Sequence, residues 1–443
     1  MDTRKSRPLR VLCIDHEGGY GGSSRSLYQM IEAMDRSNMT LMVWCGRLGP
    51  IQERYARLGI SVRVIDSLPS ATTLHRLSRT LLGFSRCIFQ LALNKKLRAE
   101  LREFEGYDVI HFNHPNLFLL AAWIRHQTAA AQILHVRTVS ENLYEGTPEF
   151  WLARAINKRT CRWLARWQTR CLSISIDQFV FITSNEQDAF SRLGGRADGP
   201  VIHNISVPLT TDPLPIPRIP ANGQLIVACL ENYRWSRGTD RLVEIADCLN
   251  ARGRDDILFV VAGDMAFPRA QRRGHGVGWA GCKDLIEYVQ RAGLEHYFLF
   301  LGHVAEPENV LAAADLLISV PRRAGPWGRN IIEAMAMGRP VLALGTWDGF
   351  IRSNENGLLH EKFDAALIAE SLCILADDRA RLGTLATAAR HHIESCCDGP
   401  TNAKQLVALW RKAANKNCNT EPDVNSASEK WPHPAGIRTD LEG

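Results

Sequence analysis

Residues 316–345 read LLISVPRRAGPWGRNIIEAMAMGRPVLALG. One apolar run opens this stretch at 316–320 and another closes it at 340–345, with a glycine-containing loop and a helix-length apolar segment between them. Continuous apolar runs of this length are typical of strands that are buried on both faces, as in a parallel sheet covered by helices. The stretch therefore predicts a strand, a loop, a helix and a second strand in succession.

The same alternation extends outward over most of the 443 residues. Further strands are predicted at 9–15, 41–46, 61–66, 107–112, 132–137, 178–184, 224–230, 256–264 and 298–303. Strands that alternate with helix-length segments indicate the α/β class, and the repetition of the pattern indicates two such units.

A proline-rich stretch separates the two units. Five prolines, at positions 208, 213, 215, 217 and 220, lie within thirteen residues. Because proline lacks an amide donor and has a fixed φ, this composition predicts an extended linker at 211–221. The expected domains are then residues 1–210 and residues 222–398. Residues 415–443 are polar and aperiodic, and they predict a disordered tail.

The composition excludes several classes of protein. Hydrophobic residues make up 45% and charged residues 23%, which is typical of a soluble globular chain. No apolar run approaches the roughly 18–20 residues that span a bilayer, and the N-terminus does not resemble a secretory signal. The twelve cysteines include no C-x-x-C pair, so neither a disulfide framework nor a zinc site is expected. These features predict a cytoplasmic protein without a metal.

Charge is distributed unevenly along the chain. Residues 1–210 carry 27 Lys and Arg against 18 Asp and Glu, whereas the remainder carries 26 against 29. The basic first half is expected to meet an anionic partner. No nucleic-acid-binding motif accompanies it, so nucleic acid is not expected to be that partner.

The expectation of an anionic partner rests mainly on residues 150–176, which contain no acidic side chain. The segment is expected to form a helix with Trp163 and Trp167 on one side and a basic face on the other. The basic residues are Arg154, Lys158, Arg159, Arg162, Arg166 and Arg170. Such a helix could bind an anionic membrane surface. Alternatively, the tryptophans pack on the sheet and the arginines are solvated.

A glycine-rich loop follows the first predicted strand, with Gly18, Gly19, Gly21 and Gly22 ahead of a helix. A loop of this kind lets the backbone approach a ligand, and the helix N-terminus favours an anion. A tight turn that requires positive φ angles is an equally good explanation.

Residues 325–341 resemble the signature of retaining glycosyltransferases of the GT-B fold, in particular glycosyltransferase family 4. Trp327-Gly328 stands where the family has Phe-Gly, and the family's E-A-M-A and G-x-P-V elements are present at Glu333 and Gly338. Further similar elements are Gly21-Gly22, the D-V-I-H segment at 108–111, the V-I-H-N segment at 201–204 and the F-L-G segment at 300–302.

The resemblance implies two Rossmann-like parallel-sheet domains that face a central cleft. The first would bind a glycan or lipid-linked acceptor, and the second would bind a nucleotide-diphosphate sugar as substrate, with no cofactor. The sugar would be transferred with retention of configuration, by a protein that is cytoplasmic or peripheral at the inner face of the membrane. A helix at 399–414 would pack back on the first domain.

The resemblance also implies roles for individual residues. Arg237-Gly238 resembles the family's K-G pair, and Arg234 supplies a second cation for the donor diphosphate. The implied catalytic residues are Asn113, His114, Arg234 and Arg237. The implied donor-binding residues are Gly21, Gly22, Arg234, Arg237, Gly325, Trp327, Gly328, Arg329, Asn330 and Glu333, with Glu333 holding the ribose. Arg137, after the predicted strand at 132–137, is either an acceptor-binding cation or part of a surface ion pair.

Two positions depart from the family pattern. Gly325 stands where the family has a glutamate that contacts the donor sugar. Asn113 stands where the family often has a histidine, and an amide cannot act as a general base. These departures leave open an alternative function, in which the chain is a catalytically impaired scaffold or regulatory protein that binds a sugar nucleotide.

Overall fold

A computed structural model describes residues 7–19, 21–66, 68–70, 77–138, 151–206, 216, 218–219, 223–267, 281–322 and 325–418. These residues form two six-stranded sheets, and every strand pair in them is parallel. The expected α/β architecture, with two Rossmann-like parallel-sheet domains, is therefore confirmed.

The first sheet is built from residues before the proline-rich stretch. Its strands are β1 Leu9–Asp15, β2 Met39–Cys45, β3 Ser61–Val64, β4 Val109–Phe112, β5 Ala131–Val136 and β6 Gln178–Phe181. They are arranged in the order β3-β2-β1-β4-β5-β6. The order in which strands are added to the sheet reverses at β1, because β2 and β3 lie on one side of it and β4 to β6 on the other. The carboxyl ends of the strands at such a switch point, here β1 and β4, border a crevice in which α/β proteins bind ligands.

Helices cover both faces of this sheet. They are α1 Gly22–Glu32, α2 Ile51–Arg57, α3 Leu77–Leu93, α4 Lys95–Leu101, α5 Phe118–Arg125, α6 Trp151–Ser175 and α7 Ser184–Arg192. Thr183 caps α7, because its hydroxyl oxygen accepts a hydrogen bond from the backbone N–H of Glu186. This cap explains why β6 ends at Phe181 and does not reach the predicted end at residue 184.

The second sheet repeats the topology of the first. Its strands are β7 Leu225–Leu230, β8 Ile257–Ala262, β9 Phe298–Gly302, β10 Leu316–Ser319, β11 Val341–Leu344 and β12 Gly357–His360, in the order β12-β11-β10-β7-β8-β9. Its helices are α8 Arg241–Asn250, α9 Leu285–Ala292, α10 Pro307–Ala313, α11 Arg329–Ala336, α12 Ala365–Asp377 and α13 Arg379–Cys396. The switch point, at which the order of strand addition reverses, lies between β7 and β10.

The twelfth strand, β12, was not predicted from the sequence. It has four residues and pairs in parallel with β11, from Val341–Gly357 to Leu344–His360. The preceding turn contains Asn354 at a φ of 65°. A short edge strand beside a polar turn offers little hydrophobic pattern, because only one neighbouring strand and one short apolar run define it.

The last helix, α14 Gly399–Cys418, returns to the first domain. Ala403, Leu406 and Trp410 are buried in the same core as Val11 and Val109 of the first sheet. The helix runs four residues beyond the predicted end at 414. The rest of the expected tail, residues 419–443, and most of the expected linker lie outside the described residues.

Helix α6 presents its side chains differently from the expected pattern. Leu164, Gln168 and Leu172 form its buried stripe, and Trp163 is 62% exposed. At 100° per residue, Trp163 lies about 140° from the centre of that stripe, which explains its exposure. Trp167 packs at the edge of the core, 5.4 Å from Phe118. The alternative in which the tryptophans pack on the sheet therefore does not hold for Trp163.

No helix within the described part of the chain is both long enough and apolar enough to cross a membrane.

Candidate functional site

In the first domain, side chains that follow adjacent strands meet at the crevice. Asp15 ends β1, Asn113 follows β4, and Arg137 follows β5. Asn113 Nδ2 donates to the backbone oxygen of Ser23 at 3.1 Å, and Arg137 Nε donates to Asn113 Oδ1 at 2.6 Å. Asp15 and Asn113 are buried. The carboxyl ends of three neighbouring strands are thus linked to the start of α1.

Arg137 is a largely buried cation within this arrangement. Its Nη1 donates to Asn204 Oδ1 at 2.7 Å, and its Nη2 lies 3.2 Å from His135 Nδ1. Burial lowers the pKa of Arg137 to about 9, and the charge of Asp15 opposes this effect. The guanidinium therefore remains charged at neutral pH. Its hydrogen bonds run to amides and an imidazole at the crevice, which is not the geometry of a surface ion pair.

His114 lies beside this cluster, next in the chain after Asn113. Its ring packs against that of His16 at a centroid distance of 4.2 Å with the planes tilted by 35°, and its Nδ1 accepts from the backbone N–H of Asn116 at 3.1 Å. Burial holds the pKa of His114 well below its usual range, and His16 and Arg137 lower it further. The imidazole is therefore neutral at neutral pH, with Nδ1 engaged in capping the turn at Pro115–Leu117.

The glycine-rich loop brings the backbone close to its neighbours. A Cβ atom on Gly18 would lie 1.8 Å from the backbone oxygen of Arg47. The described glycines of this loop do not have positive φ angles, so close approach explains the glycine at 18 better than backbone strain. Gly21 is the N-cap of α1, so no side chain of the N-cap residue caps the first turn of that helix.

In the second domain, the buried carboxylate of Glu231 hydrogen-bonds two of the residues implied in donor binding. Glu231 follows β7, and its Oε1 accepts from Arg237 Nη1 at 3.2 Å and from Asn330 Nδ2 at 3.3 Å. Burial raises the pKa of Glu231, and the charge of Arg237 counteracts this. Glu231 was not predicted as a site residue, although a carboxylate directly after the first strand of a domain is a usable signal.

The turn that carries Arg237 is held firmly against the sheet. Gly238 has a φ of 69°, and a Cβ there would lie 2.3 Å from the backbone oxygen of Val320. Arg322 donates to the backbone oxygen of Trp235 at 2.9 Å and forms two hydrogen bonds with the Asp240 carboxylate. Only glycine fits this position without strain. Arg237 is half-exposed at the end of the turn, and Arg234 is exposed at its start.

The two domains meet where α1 faces α11. Arg329 Nη1 donates to Ser26 Oγ at 3.0 Å, and its Nη2 donates to Glu333 Oε1 at 2.8 Å. Arg25 Nη1 of the first domain lies 3.2 Å from the same Glu333 oxygen. A Cβ on Gly22 would lie 4.0 Å from Arg329 Cδ. The implied donor residues Gly22, Arg329 and Glu333 are therefore together, and Arg25, which was not predicted, joins them.

The loop at 325–328, which carries Gly325, also contacts the first domain. The side chain of Trp327 lies beside the carboxyl group of Glu186 in α7 and favours its ionised form. Gly328 is the N-cap of α11, and a Cβ there would lie 2.5 Å from Asn330 Oδ1. The described residues contain no group of three or more His, Cys, Asp or Glu side chains that could hold a metal ion.

Two family models match the chain. One, described as "Glycosyl transferases group 1", matches residues 224–378, and the other, described as "Glycosyl transferase 4-like domain", matches residues 21–204. Together they cover more than half of the chain; the first contains every strand of the second sheet, and the other contains β2 to β6 of the first sheet.

Curated relatives align over shorter segments. D-inositol 3-phosphate glycosyltransferase 1 of Catenulispora acidiphila is 40% identical over 103 residues, which are 23% of this chain and 24% of the relative. D-inositol 3-phosphate glycosyltransferase of Rhodococcus erythropolis is 36% identical over 156 residues, 33% of this chain and 34% of the relative. The chain thus spans about a quarter to a third of the length of these relatives.

Solved structures align over nearly the whole chain. Anabaena HepE in complex with UDP and glucose has a TM-score of 0.68 at 19% identity, covering 91% of this chain and 100% of the other. Sucrose-phosphate synthase from Thermosynechococcus elongatus has a TM-score of 0.69 at 18% identity, covering 92% and 100%. At these identities the likeness shows a shared fold.

Proposed function

Since the chain belongs to the group 1 glycosyl transferases and has the GT-B fold, we propose that it moves a sugar from a nucleotide-diphosphate sugar to a glycan or lipid-linked acceptor with retention of configuration. The observation that carries the proposal is the meeting of Glu333 and Arg329 with Arg25 across the cleft. It brings the signature helix of the second domain against the glycine-rich loop of the first.

In this proposal the second domain holds the donor. Glu333 would accept hydrogen bonds from the ribose hydroxyl groups. Arg237 and Arg234 lie at the turn after β7, where their charges would stabilise the diphosphate as the sugar–phosphate bond breaks. A guanidinium also matches phosphate oxygens through two parallel hydrogen bonds. The open first turn of α1, at Gly21 and Gly22, would add backbone N–H groups.

The first domain would hold the acceptor. Arg137 is a cation fixed by Asn113 and Asn204 at the carboxyl end of β5, so we propose that it binds an anionic group of the acceptor. Curated relatives are named for inositol 3-phosphate, a phosphate-bearing molecule, which supports this chemistry. Asn113 can donate a hydrogen bond but cannot remove a proton. In retaining transfer the donor phosphate itself would take the proton.

The site of action is proposed to be an anionic membrane surface. On α3, Leu82, Phe89 and Leu93 are exposed, and on α6 the exposed side chains include Trp163 and several arginines. The two helices are neighbours, because Phe84 of α3 lies 5.7 Å from Trp167 of α6. A face that combines apolar side chains with cations suits the interface of a bilayer containing acidic lipids.

A panel of UDP-, GDP- and dTDP-sugars tests the proposed function. The donor should raise the melting temperature, because a ligand that binds only the native state stabilises it. HepE is described in complex with UDP-glucose, so UDP-sugars are the first choice. Incubation of the identified donor with candidate acceptors should then give a product whose anomeric configuration, read by NMR coupling constants, equals that of the donor.

The alternative function is a sugar-nucleotide-binding scaffold without transfer activity. Gly325, in place of a glutamate, and Asn113, in place of a histidine, favour it. Donor binding with no detectable hydrolysis or transfer across the acceptor panel would support the scaffold. Turnover would exclude it.

A further inference from the structure

Glu186 is a buried carboxyl group whose surroundings come from both domains. It is the third residue of α7 in the first domain and is 2% exposed. The hydroxyl group of Thr183 hydrogen-bonds its carboxyl group, and the side chain of Trp327 lies beside it and favours its ionised form. Trp327 belongs to the loop at 325–328, so this contact joins α7 to the segment just ahead of α11.

A second tryptophan of the second domain contacts Ser184, the first residue of α7. Trp347 Nε1 donates to Ser184 Oγ at 2.9 Å. The two indoles pack edge to face at a centroid distance of 5.8 Å, and Trp347 packs against Phe350 at 4.9 Å. Two neighbouring indoles of the second domain thus each contact a side chain in the first turn of α7, Trp347 through a hydrogen bond to Ser184 and Trp327 beside Glu186.

The position of Trp327 makes this contact relevant to the cleft. The residue lies between Gly325 and Gly328, and Gly328 caps the helix that carries Arg329 and Glu333. The Trp327 indole thus ties this loop to the first domain, in addition to the contacts that Arg329 and Glu333 of α11 make with Ser26 and Arg25.

Helix capping alone does not account for the arrangement. Thr183 and Glu186 form a Thr-x-x-Glu sequence of the capping-box type, which explains a glutamate at this position of α7. Capping can be performed at the surface and needs no indole from another domain. A phenylalanine at 327 or 347 would supply the same packing but has no N–H group to donate.

We propose that Glu186 and Ser184 are positioning residues that hold the 325–328 loop in place through the indoles of Trp327 and Trp347. The inference rests on the proposed function, because the loop is assigned to donor binding there. When the latch, defined as these four residues, is closed, α11 and its Glu333 stand against α1. When it is open, the loop loses its anchor and the donor site is incomplete.

A double-mutant cycle on Glu186 and Trp327 tests the latch in the full-length chain. E186A and W327F should each weaken binding of the identified nucleotide sugar about tenfold by calorimetry, the effect of losing one hydrogen bond to a charged or buried partner. The double variant should be no weaker than either single variant, because both remove the same contact. E186Q should bind almost as well as the wild type, since its amide oxygen can still accept from the indole.

W123F is the matched control. Trp123 lies in α5 and packs against Phe104, away from the cleft, so its replacement should leave donor binding unchanged. Additive losses in the cycle, or full affinity in both single variants, would overturn the proposal. A loss in E186Q as large as in E186A would do the same.

Small-angle X-ray scattering separates failure of the latch from failure of the proposed function. The radius of gyration of W327F should exceed that of the wild type whether or not any sugar nucleotide binds. If the wild type binds no sugar nucleotide and W327F is still more extended, the latch stands and the proposed function does not. Equal radii in the wild type, W327F and E186A would refute the latch itself.

Discussion

Arg25 in helix α1 lies 3.2 Å from the carboxylate of Glu333 in helix α11, and the pair joins the two domains directly. Arg329 holds the same oxygen from within α11 at 2.8 Å. Each side chain of the group is at most one-fifth exposed, so water screens the interaction only partly. The carboxylate proposed to bind the donor ribose is therefore already oriented toward the cleft by two arginines.

Replacing Glu333 by Gln should weaken nucleotide-sugar binding about ten- to a hundredfold. The change keeps the shape of the side chain and removes the charge that makes its hydrogen bonds strong, an effect of about 1.5–3 kcal/mol. Calorimetry with the identified donor measures it. E355Q, at an exposed position, should bind like the wild type. Equal affinity in E333Q and E355Q would contradict the ribose role.

Replacing Arg237 by Ala should lower kcat about ten- to a thousandfold. The contact of Arg237 with the leaving diphosphate becomes stronger as negative charge develops, so its loss affects the transition state more than the bound substrate. Steady-state kinetics with the identified donor and acceptor gives the effect. R237K should recover part of the rate, because the charge remains and the planar fork is lost.

A control for Arg237 is Arg291, a half-exposed arginine that pairs with Glu287 on helix α9. R291A should have the same kcat and KM as the wild type. If R237A also leaves both parameters unchanged, Arg237 does not act on the donor diphosphate, and the assignment of the donor to the second domain loses its main support.

The stability of the protein should fall as the pH rises toward 8 because of Glu186. Burial raises the pKa of Glu186 to about 7, against an ordinary value of 4.5. A carboxyl group whose native pKa is raised contributes stability that is complete below about 4.5 and is lost as the pH rises through about 7. The shift corresponds to at most about 3 kcal/mol.

E186Q removes this titration, so its melting temperature should rise relative to the wild type between pH 5 and pH 8. Thermal scans of both proteins in matched buffers measure the difference, which should reach several degrees at pH 8. Parallel curves over this range would show that the Glu186 carboxyl group ionises without cost.

Binding to acidic liposomes should depend on the exposed arginines of helix α6. Replacing Arg162, Arg166 and Arg170 with Gln should reduce co-sedimentation with vesicles that contain phosphatidylglycerol. Added salt should reduce it as well, because exposed charges are screened over about 8–10 Å at physiological ionic strength. Replacing Arg352, Arg381 and Arg390 of the second domain with Gln should have no effect. Absent or salt-independent sedimentation of the wild type would rule out the proposed membrane surface.

Trp410 should contribute strongly to the stability of the first domain. It is fully buried, and its Nε1 lies 3.2 Å from Nδ1 of His111. Burial lowers the pKa of His111 to about 3, so the ring is neutral and its Nδ1 can accept a hydrogen bond. W410A should cost about 3–5 kcal/mol through the cavity it leaves, and W410F about 1 kcal/mol through the lost hydrogen bond.

Urea unfolding followed by circular dichroism measures both effects. K412A, at an exposed position on the same helix, should unfold like the wild type. If W410A and K412A unfold at the same urea concentration, the last helix does not support the first domain.

The sequence predicted the strands well because each is an apolar run that both faces of its sheet must bury. The resemblance at 325–341 also grouped Arg329, Asn330 and Glu333 as donor-binding residues, and the structure has all three in α11, which begins four residues before Glu333. Arg25 and Glu186 were missed because an arginine or a glutamate on a surface-like helix carries no local signal. Their importance comes from contacts with residues of the other domain, which pattern and spacing do not encode. The sequence left open whether Trp163 packs on the sheet or is exposed, since a tryptophan does not reveal which face of a helix the sheet will cover.

The return of α14 has a consequence for the order in which the molecule is completed during synthesis. The first domain emerges from the ribosome early, yet its core includes Ala403, Leu406 and Trp410, which are translated only after the whole second domain. Until then the sheet face around Val11 and Val109 lacks its cover. The first half of the chain therefore finishes folding last, and a nascent chain stalled before residue 399 would expose an apolar surface that chaperones recognise.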